Sequence, residues 1–182
     1  MKKSTSPRRG PRPLEAGRPI PKLAWKTAQG SSIGTRAEGW RVLVVYRGRH
    51  CGLCKRYLIE LNGLQPGFEQ AGITVAAVSA DIKVAATGWL RELALRFPLG
   101  YGLTEAQMKK LGLYVSPADE DVDHPFAEPA VFTLRDKGMI HFACVGNAPY
   151  GRPSLHDVLE GTKKAIEDDL DPHGTRWPAK AR

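Results

Sequence analysis

The stretch Val42–Leu61, VLVVYRGRHCGLCKRYLIEL, constrains this chain more than any other. A β-branched apolar run ends at Arg47-Gly48, two cysteines follow in C-x-x-C spacing at Cys51 and Cys54, and then the periodicity changes. Leu53, Tyr57, Leu58, Leu61 and Leu64 recur at helical spacing, with Lys55, Arg56, Glu60 and Asn62 mostly opposite. A buried strand therefore delivers two thiols to the first turn of an amphipathic helix. Free backbone N–H groups and the positive end of the helix dipole favour a thiolate there. Arg47, Arg49, His50, Lys55 and Arg56 add positive charge or can acquire it. Cys51, at the helix start, is expected to be partly exposed and to titrate at about 5–7 rather than the usual value of about 8.5. Cys54, one turn in, is expected to be shielded, and the two sulfurs to form a reversible disulfide.

The rest of the chain supplies an α/β frame for that unit. Pro19 and Pro21 favour extended structure, and Gly30-Ser31-Ser32 a turn, so a short hairpin precedes the main sheet. The cysteine helix is expected to stop at Pro66-Gly67. A second buried strand spans 73–79, a helix 84–96 and a short strand or turn the PLGYGL stretch; a helix capped by Thr104 runs to about Leu111. The acidic stretch 116–128 reads as a loop, AVFTLRDKGMIHFACV as a hairpin, and Ser154 as the cap of a last helix to about Leu170. This order predicts a mixed sheet between helices. Domain limits follow: a basic disordered tail at 1–16, one redox domain at 17–170 and an irregular tail at 171–182.

Charge and cysteine count narrow the function. The net charge is +8, but residues up to Lys22 carry +6 of it, so the folded part is nearly balanced. A basic, proline-rich arm without a basic-aromatic recognition motif argues against nucleic-acid binding. No apolar run is long enough to cross a bilayer, and no hydrophobic segment follows Arg8-Arg9, so a cytoplasmic location is expected. Three cysteines are too few for a disulfide scaffold. Cys144, flanked by Phe142, Ala143 and Val145, reads as a packed residue, as do Trp40 and Trp89. Asp81 follows a strand at its carboxyl end, where loops of α/β sheets carry function, while Arg152 in YGRP reads as a surface arginine.

These elements resemble the thioredoxin-like fold and, more closely, the peroxiredoxin-like branch of the alkyl hydroperoxide reductase/thiol-specific antioxidant (AhpC/TSA) family. The resemblance is carried by YRGRHCGLCKRYLIEL, by the lead-in Gly17-Arg-Pro-Ile-Pro21 and by Pro129-Ala-Val-Phe-Thr-Leu-Arg-Asp-Lys-Gly138, and spans residues 14–168. It implies that Cys51 attacks, that Cys54 resolves, and that Pro129 is a cis-proline beside them. Two departures stand out. Gly48 occupies the place of the usual threonine or serine, and Pro129 the neighbourhood of the usual arginine, whose electrostatic role would fall to Arg47. His50, adjacent to Cys51, is a second supporting candidate. The implied activity is reduction of a small peroxide or exchange with a protein disulfide, recycled by a thioredoxin- or glutathione-type reductant, with self-association left open and no cofactor expected. Two alternatives remain at this point. One is copper or zinc binding by Cys51 and Cys54 with His50, His124 or His141; the other is an interaction module that has lost activity.

Overall fold

The computed structural model describes residues 13–176. Most of the expected basic tail and the last six residues lie outside that range. Leu14 and Ala16, assigned to the tail, pack against the core.

The centre is a five-stranded mixed sheet in the order β5-β4-β3-β8-β9. Its strands are β3 (Trp40–Val45), β4 (Ile73–Val78), β5 (Leu99–Gly100), β8 (Ala130–Arg135) and β9 (Met139–Val145). β4 runs parallel to both β3 and β5; β8 runs antiparallel to β3 and β9 to β8. A small hairpin, β1 (Ala24–Lys26) with β2 (Ser32–Gly34), precedes the sheet, as its turn residues imply. Side chains alternate across β3. Val42, Val44 and Tyr46 face one buried cluster with Leu58, Leu61 and Phe68 of helix α1 (Gly52–Gln70) and Leu155 and Leu159 of helix α4 (Leu155–Glu167). Leu43 and Val45 face a second cluster with Phe132, Met108 of helix α3 (Glu105–Lys110) and Trp25 of the hairpin. Burial on both faces explains the unbroken apolar run. Leu58 and Leu61 are fully buried and contribute about 1.5–3 kcal/mol each.

Three expectations need correction. Helix α1 does not stop at Pro66; it continues to Gln70 and ends where Gly72 takes φ +69°. Proline lacks the N–H that would pair with the Asn62 carbonyl. Arg96 supplies the missing donor, its Nη2 lying 3.0 Å from the Asn62 oxygen. Helix α2 (Lys83–Glu92) ends earlier than expected, because Ala94 enters the left-handed region at φ +46° and Leu95 N–H turns back to the Leu90 carbonyl. This is a Schellman-type stop without the usual glycine. The acidic stretch is not all loop: β6 (Val115–Ser116) pairs with β7 (Phe126–Ala127), bringing residues 126–128 against the core.

Candidate active site

The site lies where β3 ends and α1 begins. After Tyr46 the chain turns through Gly48 at φ +144°, and a Cβ built there would fall 2.8 Å from Asp81 Oδ1 and 3.0 Å from His50 Nδ1. A side chain there would have to displace the Asp81 carboxylate and the His50 ring, and to adopt a backbone conformation that already favours glycine. Asp81, buried after β4, fixes the turn. Its Oδ2 accepts the Arg49 N–H at 3.0 Å and the Ser79 hydroxyl at 2.9 Å. Burial raises the Asp81 carboxyl above its ordinary range.

Cys51 is the N-cap of α1, with φ −94° and ψ 106°. Its side chain makes no formed capping bond, and no acidic residue stands in the first turn, so the positive end of the helix faces the sulfur uncompensated. Contrary to the expected partial exposure, Cys51 is only 5% exposed and Cys54 is fully buried. The reason is local: Cys51 joins the buried cluster of Tyr46, Tyr57 and Trp89, and Arg47 and His50 close over the adjacent Phe126. Both thiols are free.

The two sulfurs are driven apart in acidity. Cys51 is held well below the ordinary thiol range, foremost by the Cys54 thiol turned toward it as donor. Burial opposes this, and the Cys54 backbone N–H and the Arg47 guanidinium reinforce it. Cys54 is pushed up because the Cys51 anion holds its proton and because it is buried, with Arg152 pulling the other way. The pair is thus polarised, with the anion favoured at Cys51 and the proton at Cys54.

Of the expected basic cluster, Arg47 is the member whose hydrogen bond and charge lower the Cys51 thiol. Arg49 and Lys55 are drawn to Glu92 on α2, at 3.4 and 2.6 Å. His50 packs on Phe126 with ring centroids 4.6 Å apart. Burial and the Arg47 charge lower its pKa, so it is a neutral wall rather than a cation. Arg47 Nε lies 3.3 Å from Glu128 Oε1, its guanidinium stacks 4.7 Å over Phe126, and Ser116 Oγ donates to the same Glu128 oxygen at 2.6 Å.

Pro129 does not adopt the cis form the resemblance implies; every described peptide bond is trans. Trans is the intrinsic preference of an X-Pro bond, and Pro129 serves here as the entry to β8, its carbonyl accepting the Gly146 N–H at 2.9 Å. Four residues were invisible as site members in the sequence: Ser116, Phe126, Glu128 and Arg152. Arg152 Nη2 lies 3.4 Å from Cys54 Sγ. Among the described residues no three metal-ligating side chains converge, so His124 and His141 do not join the cysteines in a ligand set.

A mixed sheet between helices, with a thiol at the first turn after the central strand, is the arrangement of a thioredoxin-like protein. The family profile described as "AhpC/TSA family" matches residues 16–143, and the chain belongs to that family. Solved structures agree on the fold. A mutant of peroxiredoxin 6 from Arenicola marina is 17% identical with a TM-score of 0.73, over 85% of this chain and 74% of that one. The peroxiredoxin-like protein from Aquifex aeolicus is 17% identical with a TM-score of 0.71, over 84% and 88%. The reduced 2-Cys peroxiredoxin of Plasmodium vivax is 18% identical with a TM-score of 0.70, over 93% and 90%. A search of curated proteins found no match.

Proposed function

We propose that this protein is a thiol peroxidase that reduces a small peroxide at Cys51 and uses Cys54 to close the oxidised state as a disulfide. The observation that carries this reading is the combination of an activated Cys51 with 5% exposure. A sulfur so enclosed admits a hydroperoxide more readily than the backbone of a protein disulfide. Cys51 thiolate attacks one peroxide oxygen, an S–O bond forms, the O–O bond breaks, and the departing oxygen takes a proton. Cys54 then displaces hydroxide from the sulfenic acid, giving the disulfide and water. Two equivalents of an external thiol, of thioredoxin or glutathione type, return the pair to two thiols. That cycle suits a reducing, cytoplasmic setting.

Stopped-flow peroxide consumption run beside insulin-disulfide reduction tests the reading. Peroxide consumption is expected to be the faster activity and to vanish in Cys51→Ser. Insulin reduction without peroxide turnover would overturn the peroxidase reading in favour of disulfide exchange.

A further inference from the structure

Cys54 must lose its proton before it can attack, yet the resting site holds that proton in place. The groups acting on Cys54 are few: Cys51 on the helix cap, the Arg47 backbone N–H at 3.4 Å from its sulfur with the Arg47 charge behind it, Tyr46 at the end of β3, and Arg152 from the segment before α4. The Arg152 guanidinium sits in a built cradle. Its Nη2 and Nε donate to the Pro149 carbonyl at 2.6 and 2.9 Å, and its plane lies 5.0 Å over the Tyr57 ring. Tyr57 in turn donates to the Pro153 carbonyl at 2.8 Å, tying this loop to α1. Among the described residues no carboxylate pairs with Arg152, and its guanidinium is shared between the Pro149 carbonyl and the Cys54 sulfur.

We propose that Arg152 converts Cys54 into the resolving nucleophile, and that it does so only after Cys51 has reacted. While Cys51 is an anion it accepts a hydrogen bond from the Cys54 thiol and its charge disfavours a second anion beside it, so Cys54 keeps its proton. Once Cys51 is a sulfenic acid its negative charge is gone, and the guanidinium and the Arg47 N–H are left to favour the Cys54 anion. Cys54 S⁻ then attacks Cys51 sulfur; the S–S bond forms, the S–O bond breaks, and hydroxide leaves to take up a proton. On the return, an external thiolate attacks Cys51, and Cys54 departs as the anion that Arg152 stabilises. The external sulfur is then joined to Cys51 in a mixed disulfide, and a second external thiol displaces Cys51, leaving the two external thiols oxidised to a disulfide and both protein cysteines reduced. One residue thereby orders the two half-reactions and eases the leaving of Cys54. The peroxide half of this assignment rests on the peroxidase reading above; the Cys54–Arg152 coupling does not.

Two measurements test it. In a Cys51→Ser/Cys144→Ser background Cys54 is the sole thiol, and its titration is followed by thiolate ultraviolet absorbance. Arg152→Met is expected to raise the midpoint by at least about one pH unit, a tenfold loss of thiolate at fixed pH, and Arg152→Lys to recover part of it. An unchanged midpoint overturns the proposal. In the otherwise unaltered protein, peroxide mixing with dimedone trapping reads the two steps separately. Arg152→Met is expected to lower the ratio of the second rate to the first at least tenfold and to let sulfenic acid accumulate. Equal slowing of both steps would make Arg152 a residue that merely holds the loop. If the protein consumes no peroxide while the Cys54 midpoint still moves with Arg152, the peroxidase reading falls and the Arg152 assignment stands.

Discussion

Each sulfur has its own arginine, and the two arginines are held in opposite ways. On the Cys51 side, Arg47 is paired with Glu128, which is 4% exposed and also bonded to Ser116. On the Cys54 side, Arg152 rests on a carbonyl and an aromatic ring, both uncharged. A carboxylate a few ångströms from a guanidinium cancels much of its field, all the more where water is excluded. Arg47 is therefore partly neutralised, while Arg152, held by the Pro149 carbonyl and the Tyr57 ring, has no carboxylate partner among the described residues. The difference fits the two thiols. Cys51 already has the helix terminus and the Cys54 donor to make it an anion; Cys54, fully buried within the first turn of the helix, needs charge.

Breaking the Cys51 side should have the largest effect. Arg47→Met leaves Glu128 buried without its cation, which costs about 3–5 kcal/mol when such a pair is broken in the interior and less here, where Arg47 is partly exposed. Denaturant unfolding should show a loss of roughly 2–3 kcal/mol on that basis. The pH profile gives a second readout. Because the folded-state pKa of Cys51 is depressed, its stabilising contribution is complete above the ordinary thiol pKa of about 8.5 and is lost as pH falls through the folded value. Cys54, shifted upward, contributes in the opposite sense, fully below that ordinary value and less as pH rises. Reaction of the unaltered protein with peroxide should be flat across about pH 6–8. In Arg47→Met the rate should climb through that window.

Glu128→Gln sharpens the comparison by making Arg47 resemble Arg152. The amide still accepts from Ser116 but carries no charge, so about 1–2 kcal/mol of stability should be lost. Cys51 should meanwhile remain reactive to lower pH than in the unaltered protein. A profile that moves upward instead would show that Glu128 matters for holding Arg47 in place more than for balancing it. The smallest effect is expected from Tyr57→Phe. It keeps the ring beneath Arg152 and removes only the bond to the Pro153 carbonyl, costing about 0.5–1.5 kcal/mol. Cys54 resolution should slow less than tenfold; a larger drop would place the loop anchor above the charge in importance.

The strand, the turn and the cysteine helix were legible because periodicity and C-x-x-C spacing are local, and the unbroken apolar run marked β3 as buried on both faces. The opposing partners were not legible. Glu128 and Arg152 meet Arg47 and Cys54 across 81 and 98 residues, and only the completed sheet brings them together. Glu128 was hidden within an acidic stretch that reads as solvated, although its place beside an apolar strand was a clue to burial. Arg152 carried no such clue. The burial of Cys51 also escaped the sequence, because the cluster it joins draws Trp89 from α2 and is assembled only by the completed fold. Pro66 misled for a different reason. The cost of proline within a helix is real, but it was met by a donor from Arg96, outside the helix altogether.

That proline has a mechanical consequence. The ladder of hydrogen bonds along α1 lacks one rung at position 66, and its place is taken by a tether from the segment that follows α2. Helices bend most readily at such a gap. The turns bearing the sulfurs form a short rod above this flexible joint, while below it Gly67 sits so tightly under Leu159 that a Cβ there would fall 2.9 Å from Leu159 Cδ2. Leu159 therefore presses on the helix just past the gap, and Arg96 ties the gap itself to the segment after α2, so the register of the sulfur-bearing turns is set by contacts from outside the helix.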